Sequence, residues 1–220
     1  ALTHELFTVQ GVVRYLVSCF AAHDIYVGHG TDNYWDEALE IVQAVMHLTP
    51  PCDDSTLTSR LTQEERSTIS KIARLRILDR VPTPYLTHRA FFCGKEFYVD
   101  SRVIIPRSPI GELIENGFAP YLDRDPERVL DMCTGSGCIA IATALHFEGD
   151  TEVDAVDISD EALEVCNINI QNYGLEQLVT PIKSDLFDNL PKGDKYDLIV
   201  ANPPYVDAFD LSSMPEEYRT

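Results

Sequence analysis

Four short apolar runs in the second half of the chain restrict its fold more than any other feature. They lie at residues 129–132, 152–156, 179–183 and 196–200, and each has the length and composition of a buried strand. Stretches with helical spacing follow the first two runs, at residues 138–145 and 160–173. Strands that alternate with helices imply right-handed crossovers and a parallel sheet, so we predict an α/β fold.

The first run is the richest in candidate site residues. Ligands bind at the carboxyl ends of parallel strands, and this run carries Asp131 close to its end. It leads into Thr134-Gly135-Ser136-Gly137, where glycines allow the backbone to approach a ligand closely. A plain strand-to-helix turn would have the same glycines.

The second and third runs each lead to a carboxylate. Asp157 ends the second run and is an acceptor suited to a pair of ribose hydroxyls, while Asp185 follows the third and suits an exocyclic adenine amine. Either residue could instead cap the helix that follows it.

The fourth run leads into Asn202-Pro203-Pro204-Tyr205. Prolines can neither extend a strand nor enter a helix interior, so they hold the backbone next to Asn202 rigid. A rigid amide with an aromatic ring nearby is a good clamp for a flat group that carries an NH2. The simpler interpretation is that the prolines end a strand and that Tyr205 is a core residue.

The first two strand ends are ambiguous when taken alone. A G-x-G-x-x-A pattern starts at Gly135, and Asp157 follows its second glycine by twenty residues, which also matches the dinucleotide-binding fingerprint. Carboxylates at Asp131 and Asp185 argue against this, because they crowd negative charge where a pyrophosphate would lie. A sulfonium cofactor with an amino-acid tail suits such a field, with Asp131 near its amino group.

The first half of the chain has helical patterns without this alternation. Helices are predicted at residues 6–22, 35–48 and 61–78. Asp32 or Asn33 can cap the second, and Thr62 with Glu65 forms a capping-box pattern in the third. We predict a helical domain of three to five helices over residues 1–82.

A linker is predicted over residues 83–107. Its prolines favour a loop at residues 82–86, two aromatic runs around Gly94 indicate a β-hairpin, and residues 103–105 have the composition of a further extended piece. Ser108 and Pro109 are typical of a helix N-terminus. The predicted α/β domain then covers residues 108–220.

Charge and cysteine content limit which partners, metals and compartments we expect for this protein. The chain has 36 acidic and 17 basic residues and a formal charge of −19, so we expect no direct nucleic-acid readout and a basic partner, unless the charge serves solubility alone. The six cysteines lack the spacing of a zinc site, so we expect reduced thiols and no metal. Apolar segments are too short for a membrane span, and we expect a soluble, cytoplasmic protein.

At this point the chain resembles a known family. Asp131-Met-Cys-Thr-Gly-Ser-Gly followed by Asn202-Pro-Pro-Tyr is similar to the HemK-like, S-adenosylmethionine-dependent methyltransferases that modify the side-chain amide nitrogen of glutamine in proteins. The resemblance extends through the hairpin to the amino-terminal helices. The motifs Ile105-Pro106-Arg107-Ser108 and Cys133-Thr-Gly-Ser-Gly-Cys138 look like the branch that acts on ribosomal proteins.

The resemblance implies a class I methyltransferase fold and a role for each matching residue. Asp131, Thr134, Gly135, Ser136, Gly137, Asp157, Asp185 and Asn202 would bind S-adenosylmethionine. Asn202, Pro203, Pro204 and Tyr205 would bind the substrate glutamine, and Asn202, Pro203 and Tyr205 would be catalytic. Leu186 stands where release-factor relatives often have a tryptophan, so Phe187 is the alternative for adenine stacking.

The resemblance also implies a partner and a length. The substrate would be a basic protein of the large ribosomal subunit, L-three, recognised through the helical domain. A complete sheet of this class has seven strands, and only four are evident, so we expect a fragment of a longer protein. Two other functions stay open: methylation of adenine in DNA, which uses the same clamp on a flipped base, and binding without catalysis.

Overall fold

The computed structural model describes residues 5–28, 30–190, 193 and 195–204. These residues belong to two compact units that meet in the sequence between Arg89 and Ala90. The residues predicted as one linker, 83–107, are therefore divided between the units.

The first unit is helical. Its helices are α1 (Val9–Ala22), α2 (Tyr34–Val45), α3 (Asp54–Thr58), α4 (Gln63–Leu78) and α5 (Thr83–Thr87). The apolar faces of α1, α2 and α4 form its core, which includes Val13, Leu16, Phe20, Ile41 and Ile69.

Side-chain caps explain where these helices begin. Thr8 accepts a hydrogen bond from the backbone of α1, and Asn33 does the same for α2. Thr62 and Glu65 form the predicted capping box at α4. The first predicted helix began too early in the sequence, because the cap at Thr8 fixes its start at Val9.

The prediction of a loop at residues 82–86 was wrong. Pro84 lies in the first turn of α5, where a proline is tolerated since that N–H has no partner within the helix. The hydroxyl of Thr83, the first residue of α5, donates to Glu37 Oε1 at 2.6 Å.

Glu37 is the polar centre of the helical unit. Its side chain is 2% exposed, and its carboxylate accepts from Arg76 Nε at 2.8 Å and from Thr31 Oγ1 at 2.7 Å, besides Thr83. Arg76 is also buried and donates to the backbone oxygen of Tyr26. The buried carboxylate thus ties α2 to α4 and α5.

The second unit contains a hairpin and a four-stranded sheet. The hairpin strands are β1 (Ala90–Phe92) and β2 (Lys95–Phe97), and α6 (Ile110–Glu115) follows. The sheet strands are β3 (Arg128–Met132), β4 (Glu152–Asp157), β5 (Val179–Lys183) and β6 (Leu198–Ala201). They are parallel, in the order β5-β4-β3-β6, with α7 (Cys138–His146) after β3 and α8 (Asp160–Tyr173) after β4.

This strand order places a topological switch point between β3 and β6. The chain moves outward from β3 through β4 to β5, then returns to pair β6 on the other side of β3. Connections leave in opposite directions at such a point, which opens a crevice at the carboxyl ends of the two strands. The predicted parallel α/β pattern is confirmed.

The third extended piece expected at residues 103–105 is not a strand. Val103 and Ile105 are buried while Ile104 is exposed, so the apolar alternation is present, but the N–H of Val103 donates to the oxygen of Asp100 at 3.1 Å in a turn. Ser108 and Pro109 do precede a helix, but α6 starts at Ile110, whose N–H donates to Ser108 Oγ at 3.2 Å.

No helix among the described residues is long and apolar enough to cross a bilayer.

We predict that Glu37→Gln destabilises the helical unit by about 3–5 kcal/mol, because it removes the buried negative charge that Arg76 Nε contacts at 2.8 Å. Urea denaturation followed by the circular dichroism of the helices measures this loss. The control is Glu64→Gln, at an exposed position in the first turn of α4, where we expect a change below about 0.5 kcal/mol. Equal effects of the two substitutions would contradict this role of Glu37.

Candidate functional site

The glycine-rich loop and the Asn-Pro-Pro segment leave the sheet next to each other. Met132 at the end of β3 pairs with Ala201 at the end of β6. The next residues are Cys133, which opens the loop, and Asn202. The structure therefore brings together two motifs that lie about 70 residues apart in the sequence, at the switch point where ligands bind in such sheets.

The carboxylate of Asp131, near the end of β3, connects this loop to α7. Its Oδ2 accepts from Thr134 Oγ1 at 2.6 Å and from the backbone N–H of Ala140 at 3.1 Å. Ala140 is in the first turn of α7, and the N-cap of that helix is Gly137, which has no side chain to accept a hydrogen bond. Asp131 thus satisfies an N–H group that a capping side chain would normally satisfy.

The other oxygen of Asp131 is free to bind a donor. Asp131 is fully buried, and Oδ1 has no hydrogen-bond partner within the described residues. Burial raises the pKa of Asp131 to about 7, although the bonds from Thr134 and Ala140 oppose the shift, and the nearby charge of Asp157 raises it further. A buried acceptor without a partner is costly, so this oxygen favours a charged or polar donor from a ligand.

Asp157 contacts the same loop from β4. Its Oδ2 accepts from the N–H of Gly135 at 2.9 Å, and its Oδ1 accepts from the N–H of Ser159 at 3.0 Å. Ser159, not Asp157, is the N-cap of α8, so the capping explanation does not hold for Asp157. Because a carboxylate oxygen accepts more than one hydrogen bond, each oxygen retains capacity for a ligand.

The two loop glycines serve different purposes. Both have a left-handed backbone, with φ of +54° at Gly135 and +80° at Gly137. A Cβ at Gly135 would meet nothing within 4 Å, whereas one at Gly137 would lie 2.7 Å from Cys166 Sγ on α8. Gly135 leaves space open, and Gly137 allows the loop to pack onto α8.

The end of β5 carries Asp185 on an exposed turn. The preceding residue, Ser184, is buried and accepts from the N–H of Asn189 at 2.9 Å, which fixes the turn. Asp185 and the apolar Leu186 and Phe187 are exposed.

Ile158, directly after Asp157 on the neighbouring strand, is exposed as well. Sequence reasoning missed Ile158, whose signal was an isoleucine directly after a strand-ending acid.

Asn202 is half-buried, and Pro203 and Pro204 are exposed. The side-chain amide of Asn202 has no hydrogen-bond partner in the described part of the chain. Tyr205, the last residue of the predicted clamp, lies outside the described residues.

Sequence reasoning also missed Asn169 on α8. This residue is 0% exposed, and its side chain binds the backbone of Ser136 within the glycine loop. Its signal was a polar residue on the helix face that Ala162, Cys166 and Ile170 identify as apolar.

The cysteines near the site are neutral thiols. Burial raises the pKa of Cys138 and that of Cys166 to about 12. The six cysteines are free, and no group of histidine, cysteine or acidic side chains in the described ranges could hold a metal ion.

Comparison with known proteins finds a matching family model and similar proteins. The family model of the methyltransferase small domain matches residues 116–214. The ribosomal protein uL3 glutamine methyltransferase of Francisella tularensis subsp. tularensis is 47% identical over 220 residues, which are 99% of this chain and 69% of that protein. The protein of the same name from Bordetella pertussis is 47% identical over 218 residues, 98% of this chain and 72% of that protein.

Among solved structures, the ribosomal protein L11 methylase from Lactobacillus delbrueckii subsp. bulgaricus is 30% identical, with a TM-score of 0.39. That match covers 48% of this chain and 51% of the methylase.

We predict that Gly137→Ala destabilises the protein more than Gly174→Ala. Gly174 also has a positive φ, of +66°, but a Cβ there would meet nothing within 4 Å. Gly174→Ala should therefore cost only the backbone strain, about 1–2 kcal/mol, whereas Gly137→Ala adds the contact with Cys166. Chemical denaturation of both variants measures the difference.

The same substitution in a Cys166→Ala background isolates the contact. With the sulfur removed, the cost of Gly137→Ala should fall toward that of Gly174→Ala. An unchanged cost would mean that the sulfur is not what requires a glycine at position 137.

Proposed function

The chain belongs to the family of ribosomal protein uL3 glutamine methyltransferases, and we propose that it transfers a methyl group from S-adenosylmethionine to the side-chain amide nitrogen of a glutamine in protein uL3. The observation that carries the proposal is the juxtaposition of the Asp131-supported loop with Asn202 across β3 and β6. This arrangement would allow a cofactor and a substrate amide to meet at one crevice.

The residues at the crevice fit S-adenosylmethionine. The free Oδ1 of Asp131 suits the ammonium of its amino-acid tail, and the open space at Gly135 admits a ligand against the loop backbone. Thr134, Ser136 and Gly137 complete that loop.

The nucleoside half of the cofactor has acceptors on the neighbouring strands. Asp157 would accept from the ribose hydroxyls, and Asp185 would accept from the adenine amine. The exposed side chains of Ile158 and Phe187 provide apolar surface for a purine ring.

The charge of the site matches this cofactor. Asp131, Asp157 and Asp185 are acids at the ends of three adjacent strands, and their combined field favours a cation over a pyrophosphate. When bound, S-adenosylmethionine supplies an electrophilic methyl group on a positively charged sulfur.

Asn202 and Pro203 would orient the substrate. A glutamine amide nitrogen is a poor nucleophile because its lone pair is delocalised into its carbonyl group. The side-chain oxygen of Asn202 and the carbonyl oxygen of Pro203 would accept hydrogen bonds from the two N–H groups of this amide. These bonds would increase electron density on the nitrogen and orient its lone pair toward the methyl group. Pro204 holds this backbone rigid, and Tyr205 would pack against the amide plane. Methyl transfer makes the nitrogen cationic, and it would then lose one proton to solvent. Most of the acceleration would come from orientation and exclusion of water.

A basic ribosomal protein suits the formal charge of −19, because opposite charge speeds encounter. The reaction would take place in the cytoplasm, where ribosomal proteins are made. Methylation of adenine in DNA would use the same clamp, but the names of the relatives favour glutamine in a ribosomal protein.

Incubation with isotopically labelled S-adenosylmethionine and purified uL3 tests the proposal. We expect one labelled glutamine, with mass spectrometry placing the methyl group on its side-chain nitrogen. Label in DNA but not in uL3 would support the adenine alternative, and cofactor binding without transfer to either would support a binding module.

Asn202→Ala should lower kcat by roughly a hundredfold or more, because the glutamine loses one of the two acceptors that orient it. Steady-state transfer to uL3 measures the loss. Asn116→Ala, at an exposed residue after α6, serves as the control and should keep full activity. Full methyl transfer by Asn202→Ala would rule out the proposed clamp.

Cofactor affinity should depend on pH through Asp131. Its pKa of about 7 means that the carboxylate becomes neutral as pH falls below 7 and no longer attracts an ammonium group. The Kd should rise about tenfold between pH 7.5 and pH 6, as measured by calorimetry. Asp131→Asn should bind weakly at both pH values, and the same pH dependence in that variant would assign the titration to another group.

A further inference from the structure

The side-chain amide of Asn169 joins three elements of the second unit. Its Nδ2 donates to the backbone oxygen of Ser136 at 2.9 Å and to that of Tyr98 at 3.0 Å. Its Oδ1 accepts from the N–H of Tyr98 at 2.7 Å. The residue is 0% exposed, so water does not replace these bonds.

The partners fix the orientation of this amide. Two carbonyl oxygens require the nitrogen, and one N–H requires the oxygen, so the flipped amide would place oxygen against oxygen. Three of the four hydrogen bonds that an asparagine side chain can make are formed, which is a well-satisfied buried polar group.

The hydrogen bonds of Asn169 reach two separate segments, the glycine loop and the residue after the hairpin. Ser136 is the residue between the two loop glycines, and it is 2% exposed. Tyr98 directly follows β2 of the hairpin. The amide pairs with both backbone groups of Tyr98, as the peptide group of a neighbouring strand would, and so continues the pairing of the hairpin onto α8.

The face of α8 beneath the loop makes a second contact with it. Cys166, one turn before Asn169, packs where a Cβ at Gly137 would lie. Helix α8 therefore fixes the loop through one packing contact at Gly137 and one hydrogen bond at Ser136.

We propose that Asn169 is a positioning residue for the cofactor, which sets the backbone of the glycine loop through Ser136 and ties it to the hairpin through Tyr98. The inference rests on the proposed function, because the loop is the part of the site that meets the amino-acid tail. Loss of the amide should free the Ser136 carbonyl and weaken cofactor binding without touching the Asn202 clamp.

The test compares Asn169→Leu with two controls on the same helix. Asn167→Leu changes an exposed asparagine whose Nδ2 donates only within the helix, to the oxygen of Leu163. Ile170→Val loses one methyl group from a buried core residue and lowers stability without removing a hydrogen bond. Calorimetry with S-adenosylmethionine, steady-state kinetics and thermal unfolding are measured for each protein.

We expect the Kd and the KM for S-adenosylmethionine to rise about tenfold in Asn169→Leu, with the KM for uL3 unchanged. Hydrogen exchange at the amide of Tyr98 should become faster in the same variant. Asn167→Leu and Ile170→Val should keep the affinity of the unchanged protein. If Asn169→Leu does not fold, Asn169→Ser, which admits water in place of the amide, is measured in its place with the same expectation.

Unchanged cofactor affinity in a folded Asn169 variant would overturn the inference and leave the proposed function intact. An equal loss of affinity in Ile170→Val would also overturn it, since general destabilisation would then explain the effect. Failure of the unchanged protein to bind S-adenosylmethionine would instead contradict the proposed function.

Discussion

The hydrogen bonds to the buried carboxylate of Asp131 connect the strand, the loop and the helix that form the candidate site. One oxygen joins the turn after β3, through Thr134, to the first turn of α7, through Ala140. The helix needs this acceptor because its N-cap is a glycine. The other oxygen has no partner among the described residues, so the same burial that organises the turn leaves an acceptor prepared for a ligand.

Neighbouring elements then restrict the loop from both sides. Asp157 on β4 binds the N–H of Gly135, and Asn169 on α8 binds the carbonyl of Ser136. Cys166 Sγ lies 2.7 Å from where a Cβ at position 137 would be, which favours glycine there. The loop backbone is thus held at three consecutive residues, and preorganisation of this kind lowers the entropic cost of binding a ligand.

Sequence patterns predicted the parts of the fold that depend on local chemistry. The four strands and the helix at residues 160–173 follow from apolar runs and spacing, and the capping box at Thr62 is local by nature. The fourth run was predicted as a buried strand, but only Val200 of β6 is buried. The short helix α5 was mistaken for a loop, because Pro82 and Pro84 suit a loop as well as the start of a helix. Residues 103–105 have strand composition, but pairing decides whether a strand forms.

The placement of the candidate site residues was predictable where the sheet topology alone determines it. Asp131, Asp157, Asp185 and Asn202 all lie at strand ends of one sheet edge. Asn169 was not predictable, because its partners Tyr98 and Ser136 are 71 and 33 residues away in the sequence. The sequence could not predict that one oxygen of Asp131 lacks a partner either, because this depends on which donors the fold brings close to it.

A crystal structure with S-adenosylhomocysteine, the demethylated cofactor, tests whether Asp131 binds the amino group of the cofactor. We expect the ligand to lie at the crevice between β3 and β6, with its amino group on the free oxygen of Asp131 and its ribose on Asp157. A ligand bound with its amino group on another residue, while the Asp131 oxygen stays without a donor, would contradict it.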